Sequence, residues 1–258
     1  MRRIFVSLLV LTALQSWAQG RITDRNSIGW LSYTGLFRFT GHWGLHTEYA
    51  WRRESFLEHW QQSLLRAGID YRHSDKTTLR AGYAWAKTFA YGEIPLNGFG
   101  KSYNEHRIFE MAQVRATLLP FYMTQRFMLE QRWVGRYASA DSETEDDHVY
   151  SNRFRYQLRF QLPLTSNSPD RAYLAAYDEI FMAFGPNVGQ NVFDQNRFGI
   201  LMGGTLTDWC RIEGGYLNQL IHFGRKIDGQ DVYQKNNGFT LSGIFTFDCR
   251  KKPTESKP

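Results

Sequence analysis

Asn152-Arg153-Phe154-Arg155-Tyr156-Gln157-Leu158-Arg159-Phe160-Gln161-Leu162 is the stretch on which the reading of this chain turns. Phe154, Tyr156, Leu158, Phe160 and Leu162 share one parity, while Arg153, Arg155, Gln157, Arg159 and Gln161 share the other. Successive side chains of a strand point to opposite faces. The stretch is therefore a strand with one wholly apolar face and one face carrying three arginines. Taken alone, it fits a soluble sandwich as well as a membrane barrel.

The alternation recurs on both sides of it. Leu31, Tyr33, Phe37 and Phe39 oppose Ser32, Thr34 and Arg38; Trp43, Leu45, Tyr49 and Trp51 oppose His46, Glu48 and Arg52. Similar runs cover Leu65–Arg72, Leu79–Trp85, Ala112–Leu118, Arg126–Trp133, Arg197–Met202, Arg211–Leu220 and Phe239–Phe247. Ala172–Phe184 is the least regular, because Asp178 and Glu179 interrupt it. The runs extend for roughly 10–13 residues, the length of a tilted strand that crosses a bilayer. Tyr and Trp at their ends suit an aromatic girdle.

Composition agrees. The chain holds 19 Phe, 14 Tyr and 8 Trp, yet its mean hydropathy is −0.48. A transmembrane barrel hides apolar residues at alternate positions and so reads as polar on average. The expected fold is all-β: a single antiparallel up-and-down transmembrane barrel of about 12 strands, with ten as the alternative. Eleven runs are visible, and the twelfth strand is expected near Arg21–Ile28 or inside a long link.

Links alternate in length. Short turns fall near Gly41, Ser74-Asp75, Pro120, Asn167–Asp170 and Thr207-Asp208, and longer links at Tyr91–Asn104, Ser139–His148, Gly185–Asn191 and Phe223–Asn236. In bacterial outer-membrane barrels the short turns are periplasmic.

The N-terminus reads as a cleaved secretory signal. Arg2 and Arg3 precede the apolar run Ile4–Leu14, and Ser16-Trp17-Ala18 places the cut after Ala18. The expected organisation is signal peptide 1–18, barrel 19–249 and polar tail 250–258. The expected location is the outer membrane of a Gram-negative bacterium. The partners expected there are outer-membrane lipids, the barrel-assembly machinery during insertion, and small anions.

Further pieces carry a family resemblance. They are Arg153-Phe154-Arg155-Tyr156-Gln157-Leu158-Arg159, then Tyr177-Asp178-Glu179-Ile180-Phe181, Gln195-Asn196-Arg197-Phe198-Gly199 and Glu213-Gly214-Gly215-Tyr216-Leu217-Asn218-Gln219. In order and spacing they resemble the outer-membrane barrel family known as domain of unknown function 2490. The resemblance implies a barrel in the outer membrane and implies no activity. The two cysteines and the basic tail are not features of it.

Parity assigns the interior. Arg38, Arg52, Arg66, Arg72, Arg80, Arg115, Arg126, Arg132, Arg153, Arg155, Arg159, Arg197 and Arg211 are expected to face inward with the fewer acids Glu48, Asp70, Glu130, Asp178 and Glu213. Guanidinium stays charged and binds carboxylates through two hydrogen bonds. Two uses follow: a ladder of paired charges that fills a narrow lumen, or a lumen whose surplus positive charge attracts anions as a small pore.

An enzyme of the lipid-hydrolysing or acyl-modifying kind needs a nucleophile and a base within hydrogen-bond reach. No outward Ser/His pair stands at matched depth, so activity of that kind is the alternative rather than the leading reading. A third reading is a soluble periplasmic barrel carrying a lipophilic ligand. No Cys/His set has metal-ligand spacing. The net charge of +6 is spread over strand interiors and leader rather than in an exposed stripe, which argues against nucleic acid. No cofactor is expected.

Two cysteines in an exported chain suggest a disulfide. If the last two strands fold about Gly229, Cys210 stands opposite Cys249, Ile212 opposite Phe247 and Tyr216 opposite Gly243. The expected bond is Cys210–Cys249.

Overall fold

Alternating segments of this length satisfy their backbone groups by pairing side to side, and a sheet that closes on itself leaves no edge unpaired. A computed structural model of the chain shows that closure. It describes residues 20–165, 169–189 and 192–250. The signal peptide read at 1–18 and most of the tail read at 250–258 lie outside the described residues.

Eleven strands are present among the described residues, one fewer than the twelve expected: β1 (Arg21–Arg38), β2 (Trp43–Glu54), β3 (His59–Arg72), β4 (Thr77–Thr88), β5 (Tyr103–Leu118), β6 (Phe121–Arg136), β7 (Asp147–Pro163), β8 (Tyr173–Phe184), β9 (Phe193–Thr207), β10 (Cys210–Ile227) and β11 (Gln230–Asp248). They correspond one to one with the eleven runs. Arg21–Ile28 is the start of β1 rather than a strand of its own.

Each strand pairs antiparallel with its sequence neighbours, and β1 closes on β11. With an odd number the first and last strands run the same way, so this seam is parallel, in register from Arg21↔Asp231 to Arg38↔Asp248. A row of paired residues followed once around the barrel leaves β7 at Val149 and returns at Pro163, so the strands are strongly staggered and tilted.

One rim carries the links after β1, β3, β5, β7 and β9. The other carries the links after β2, β4, β6, β8 and β10. The last of these is not the long link expected over Phe223–Asn236. Asp228 (φ 49) and Gly229 (φ 75) form a tight two-residue turn setting Ile227 against Gln230, as an Asp-Gly hairpin does. The long-link rim also holds three consecutive left-handed residues, Ser55, Phe56 and Leu57. Arg53 braces them, donating to the carbonyls of Leu57 (3.1 Å) and Glu58 (2.6 Å).

The outer surface is apolar. Leu65, Ile69, Ile200, Met202 and Leu206 stand out from it, with Ile69 52% and Leu206 65% exposed. Rings pair at both rims: Phe37 with Phe247 (4.9 Å between centroids) and Trp43 with Tyr71 (4.9 Å) at the short-link end, Trp51 with Trp60 (5.9 Å) and Trp133 with Tyr150 (5.3 Å) towards the other.

Inside, the apolar core is four small clusters, among them Ile28, Trp30 and Leu217, and Phe109, Met111 and Met128. Large inward side chains lie over inward glycines: a Cβ at Gly199 would strike the Tyr177 ring, and one at Gly203 would strike the Tyr173 ring. This alternation of large and small fills the taper of a barrel.

Candidate interior charge network

The inward face of β6 and β7 places Glu130, Arg153 and Arg155 side by side, because Glu130 is the register partner of Arg153. Glu130 is fully buried. A lone carboxylate could not remain ionised there. It is held by Arg153 Nη2 at 2.6 Å and Arg155 Nη1 at 2.9 Å, with Arg107 at 3.8 Å and Arg66 at 3.9 Å. Arg66 belongs to β3 and thus reaches Glu130 across the lumen, while also binding Glu48 at 2.6 Å. Arg155 turns its other edge to Glu179 (2.7 Å), which Arg126 also meets at 2.9 Å. Asp194 takes the free arm of Arg153 at 3.0 Å. Glu105 accepts from Arg107 at 2.7 Å and also from Arg132. The result is one network spanning the middle of the barrel, with Arg66, Arg107, Arg153 and Arg155 all buried.

Towards the short-link rim the charges thin out. Arg80 pairs with Asp70 (Nη2 at 2.9 Å), and Arg159 Nη1 with Glu213 at 3.0 Å. The Tyr173 hydroxyl donates to Glu213 at 2.9 Å. Arg38, Arg72, Arg115 and Arg211 stand near the ends of β1, β3, β5 and β10. Among the described residues Arg211 alone of these has a carboxylate within 4.0 Å, Asp170 at 3.7 Å, and Asp248 is the register partner of Arg38. This rim is a positively charged vestibule.

The long-link rim is capped. The link 89–102 folds inward and buries Tyr91, whose hydroxyl accepts from Gln61 (2.9 Å) and Asn236 (3.0 Å). Burial raises the Tyr91 phenol above its ordinary range, so it stays neutral. Asp24 accepts the Ile94 amide at 3.3 Å, and Arg225 donates to the Pro95 carbonyl at 2.8 Å. Lys101 donates to the Ser142 carbonyl at 2.5 Å, tying this link to the next. Beneath the cap lie buried amides, Gln61, Gln219, Gln234 and Asn236.

Three expectations are corrected here. Asp178 is exposed on the outer face, where it accepts from Asn196 at 3.0 Å; its neighbour Glu179 is the inward acid. Adjacent residues of a strand must face opposite sides, and the interior takes Glu179 because Arg126 and Arg155 are there to bind it. Cys210 and Cys249 are both free. Cys210 faces Phe245, four residues short of Cys249: the turn at Asp228-Gly229 lies one residue earlier than the expected pairing needs, which shifts the register by two, and three residues of β10 opposing one of β11 between His222↔Tyr233 and Lys226↔Asp231 shift it by two more. Glu105, Arg107 and Asp194 are members of the network that the sequence reading left out. Glu105 and Arg107 share the parity of Gln113 and Arg115, and the signal was hidden because Phe109 and Met111 also point inward.

A family model, protein of unknown function DUF2490, matches residues 28–229. The chain belongs to the DUF2490 family. The matched span of this DUF2490 chain contains Glu48, Glu105, Glu130 and Glu179 with all the arginines that bind them. A solved structure described as "NanC porin structure in rhombohedral crystal form" is similar over 82% of this chain and 94% of its own, at 10% identity and a TM-score of 0.42. No curated protein matches the chain.

Proposed function

We propose that this chain is an outer-membrane barrel whose interior is filled by an arginine–carboxylate network and favours anions. It is exported by a leader cut after Ala18, and the mature barrel sits among outer-membrane lipids after insertion by the barrel-assembly machinery. The observation that carries the reading is the inversion of polarity. Ile69, Ile200 and Met202 stand exposed outside while Glu130, Glu179, Arg153 and Arg155 are buried inside. A soluble barrel would hide the first set and solvate the second. Strands of 12 to 19 residues exceed the ~9–11 that a tilted crossing needs.

The role is structural or anion-binding rather than that of a wide open pore. The network crosses mid-lumen and the cap covers one rim. Fractionation tests the location. The protein is expected to stay with the outer-membrane pellet after carbonate or urea washing and to migrate differently on gels before and after boiling. Recovery in the soluble periplasm without detergent contradicts the reading.

A further inference from the structure

We infer that Arg52 and Arg197 form a site for one small oxyanion, a carboxylate or a phosphate, beside Trp30 in the lumen. The inference rests on the anion-favouring interior proposed above and names its binding position.

Trp30 on β1 faces inward, fixed by its indole N–H donating to Gln61 at 2.6 Å. Arg52, its register partner on β2, lies 4.1 Å from the centre of its ring. Arg197 comes from β9, three strands away around the barrel, and lies 4.9 Å from the same ring and 4.7 Å from Phe181. Two guanidiniums thus share one indole. Cation–π contact orients a guanidinium but does not neutralise it.

Neither makes an ion pair, although Glu179 is the register partner of Arg197 and Glu48 lies two turns of the pleat from Arg52 on the same strand. Among the described residues no carboxylate oxygen lies within 4.0 Å of either. The nearby acids are committed: Glu48 to Arg66, and Glu179 to Arg126 and Arg155. Arg52 is 8% exposed, donates to Gln62 at 2.6 Å, and its buried Nε has no partner. Among the described residues the hydrogen-bond partner of the Arg197 guanidinium is the side-chain amide oxygen of Gln195. Like charges gathered on one ring repel, and a buried charge such as Arg52 without an ion-pair partner is strongly destabilising. Every other arginine of the mid-lumen network has a carboxylate. An oxyanion between these two forks would supply the missing charge and accept their hydrogen bonds in the planar geometry that guanidinium favours.

The test uses the refolded full mature chain in detergent. Its thermal midpoint is followed while chloride is replaced by inorganic phosphate or by acetate at constant ionic strength. The expected result is a saturable rise with at least one of the two. Phosphate alone assigns a phosphate site; acetate assigns a carboxylate site. The rise should vanish in Arg52→Gln and in Arg197→Gln and persist in Arg38→Gln, which alters only the vestibule. Should the glutamine variants not fold, Arg52→Lys keeps the charge without the fork and is expected to weaken the response at least fivefold. Calorimetry on the unaltered protein should also find about one bound anion per chain. No anion-specific rise in the unaltered protein overturns the site, as does a rise that both Arg52 and Arg197 variants retain in full. An anion-preferring barrel that shows no such rise would sink this site alone, whereas cation preference would sink the reading beneath it.

Discussion

At the scale of single residues, the interior depends on matching each carboxylate to a fork of arginine. Glu179 and Asp178 make the sharpest comparison, because they are adjacent carboxylates that take opposite faces. Glu179→Gln leaves Arg155 and Arg126 short of a partner in a buried setting, and breaking such a pair costs about 3–5 kcal/mol. Asp178 lies on the outer face between Leu158 and Phe198, where it accepts from Asn196; Asp178→Asn removes a charge from the lipid-facing side and should leave stability unchanged or raise it. Urea titrations of the two variants read the difference directly. Equal costs would mean that the parity of β8 is misassigned. The sequence alone could not choose between these two acids: Tyr173, Ala175 and Tyr177 occupy one parity and Leu174, Ala176 and Ile180 the other, so both faces of β8 are largely apolar.

At the scale of elements, the eleven strands were legible because each carries enough alternation to fix its faces. Their pairing registers were less so. The Asp228-Gly229 turn falls one residue before the place that a Cys210–Cys249 pairing needs, and the bulge after His222 displaces everything beyond it by two residues more. Apolar partners on the outward face fit either register, so nothing in the alternation reveals a slip by an even number of residues. The register is checkable with cysteines. Cys210 and Cys249 should both be alkylated in protein never exposed to reductant. Phe245→Cys, opposite Cys210, should crosslink to it on mild oxidation, because opposed residues have Cβ atoms ~4.5–5.5 Å apart and a disulfide needs ~3.5–4.5 Å. A native Cys210–Cys249 bond would refute this register of β10 on β11. The cap was harder to foresee. Tyr91 lies in a link with no periodicity, and its burial depends on Gln61 and Asn236, which are distant in sequence and meet only when β1 closes on β11.

At the scale of the whole molecule, the barrel is polar within and apolar without, and the proposed bilayer location rests on this inversion. Ile69 tests it at one point. It stands 52% exposed between Leu45 and Ala81 on the outer surface. Ile69→Arg should cost about 2–4 kcal/mol in a folding titration in lipid vesicles if the residue sits near the bilayer midplane. If that surface faced water, the same change would fall within about 0.5 kcal/mol. Conduction through the reconstituted, unaltered protein in planar bilayers tests the central claim most directly, because it reports both the seal and the sign of the interior. The account predicts insertion without the large ohmic steps of an open pore, with residual current at low salt carried by anions and that preference fading at high salt as the arginines are screened. Large steps, or a low-salt preference for cations, would contradict it.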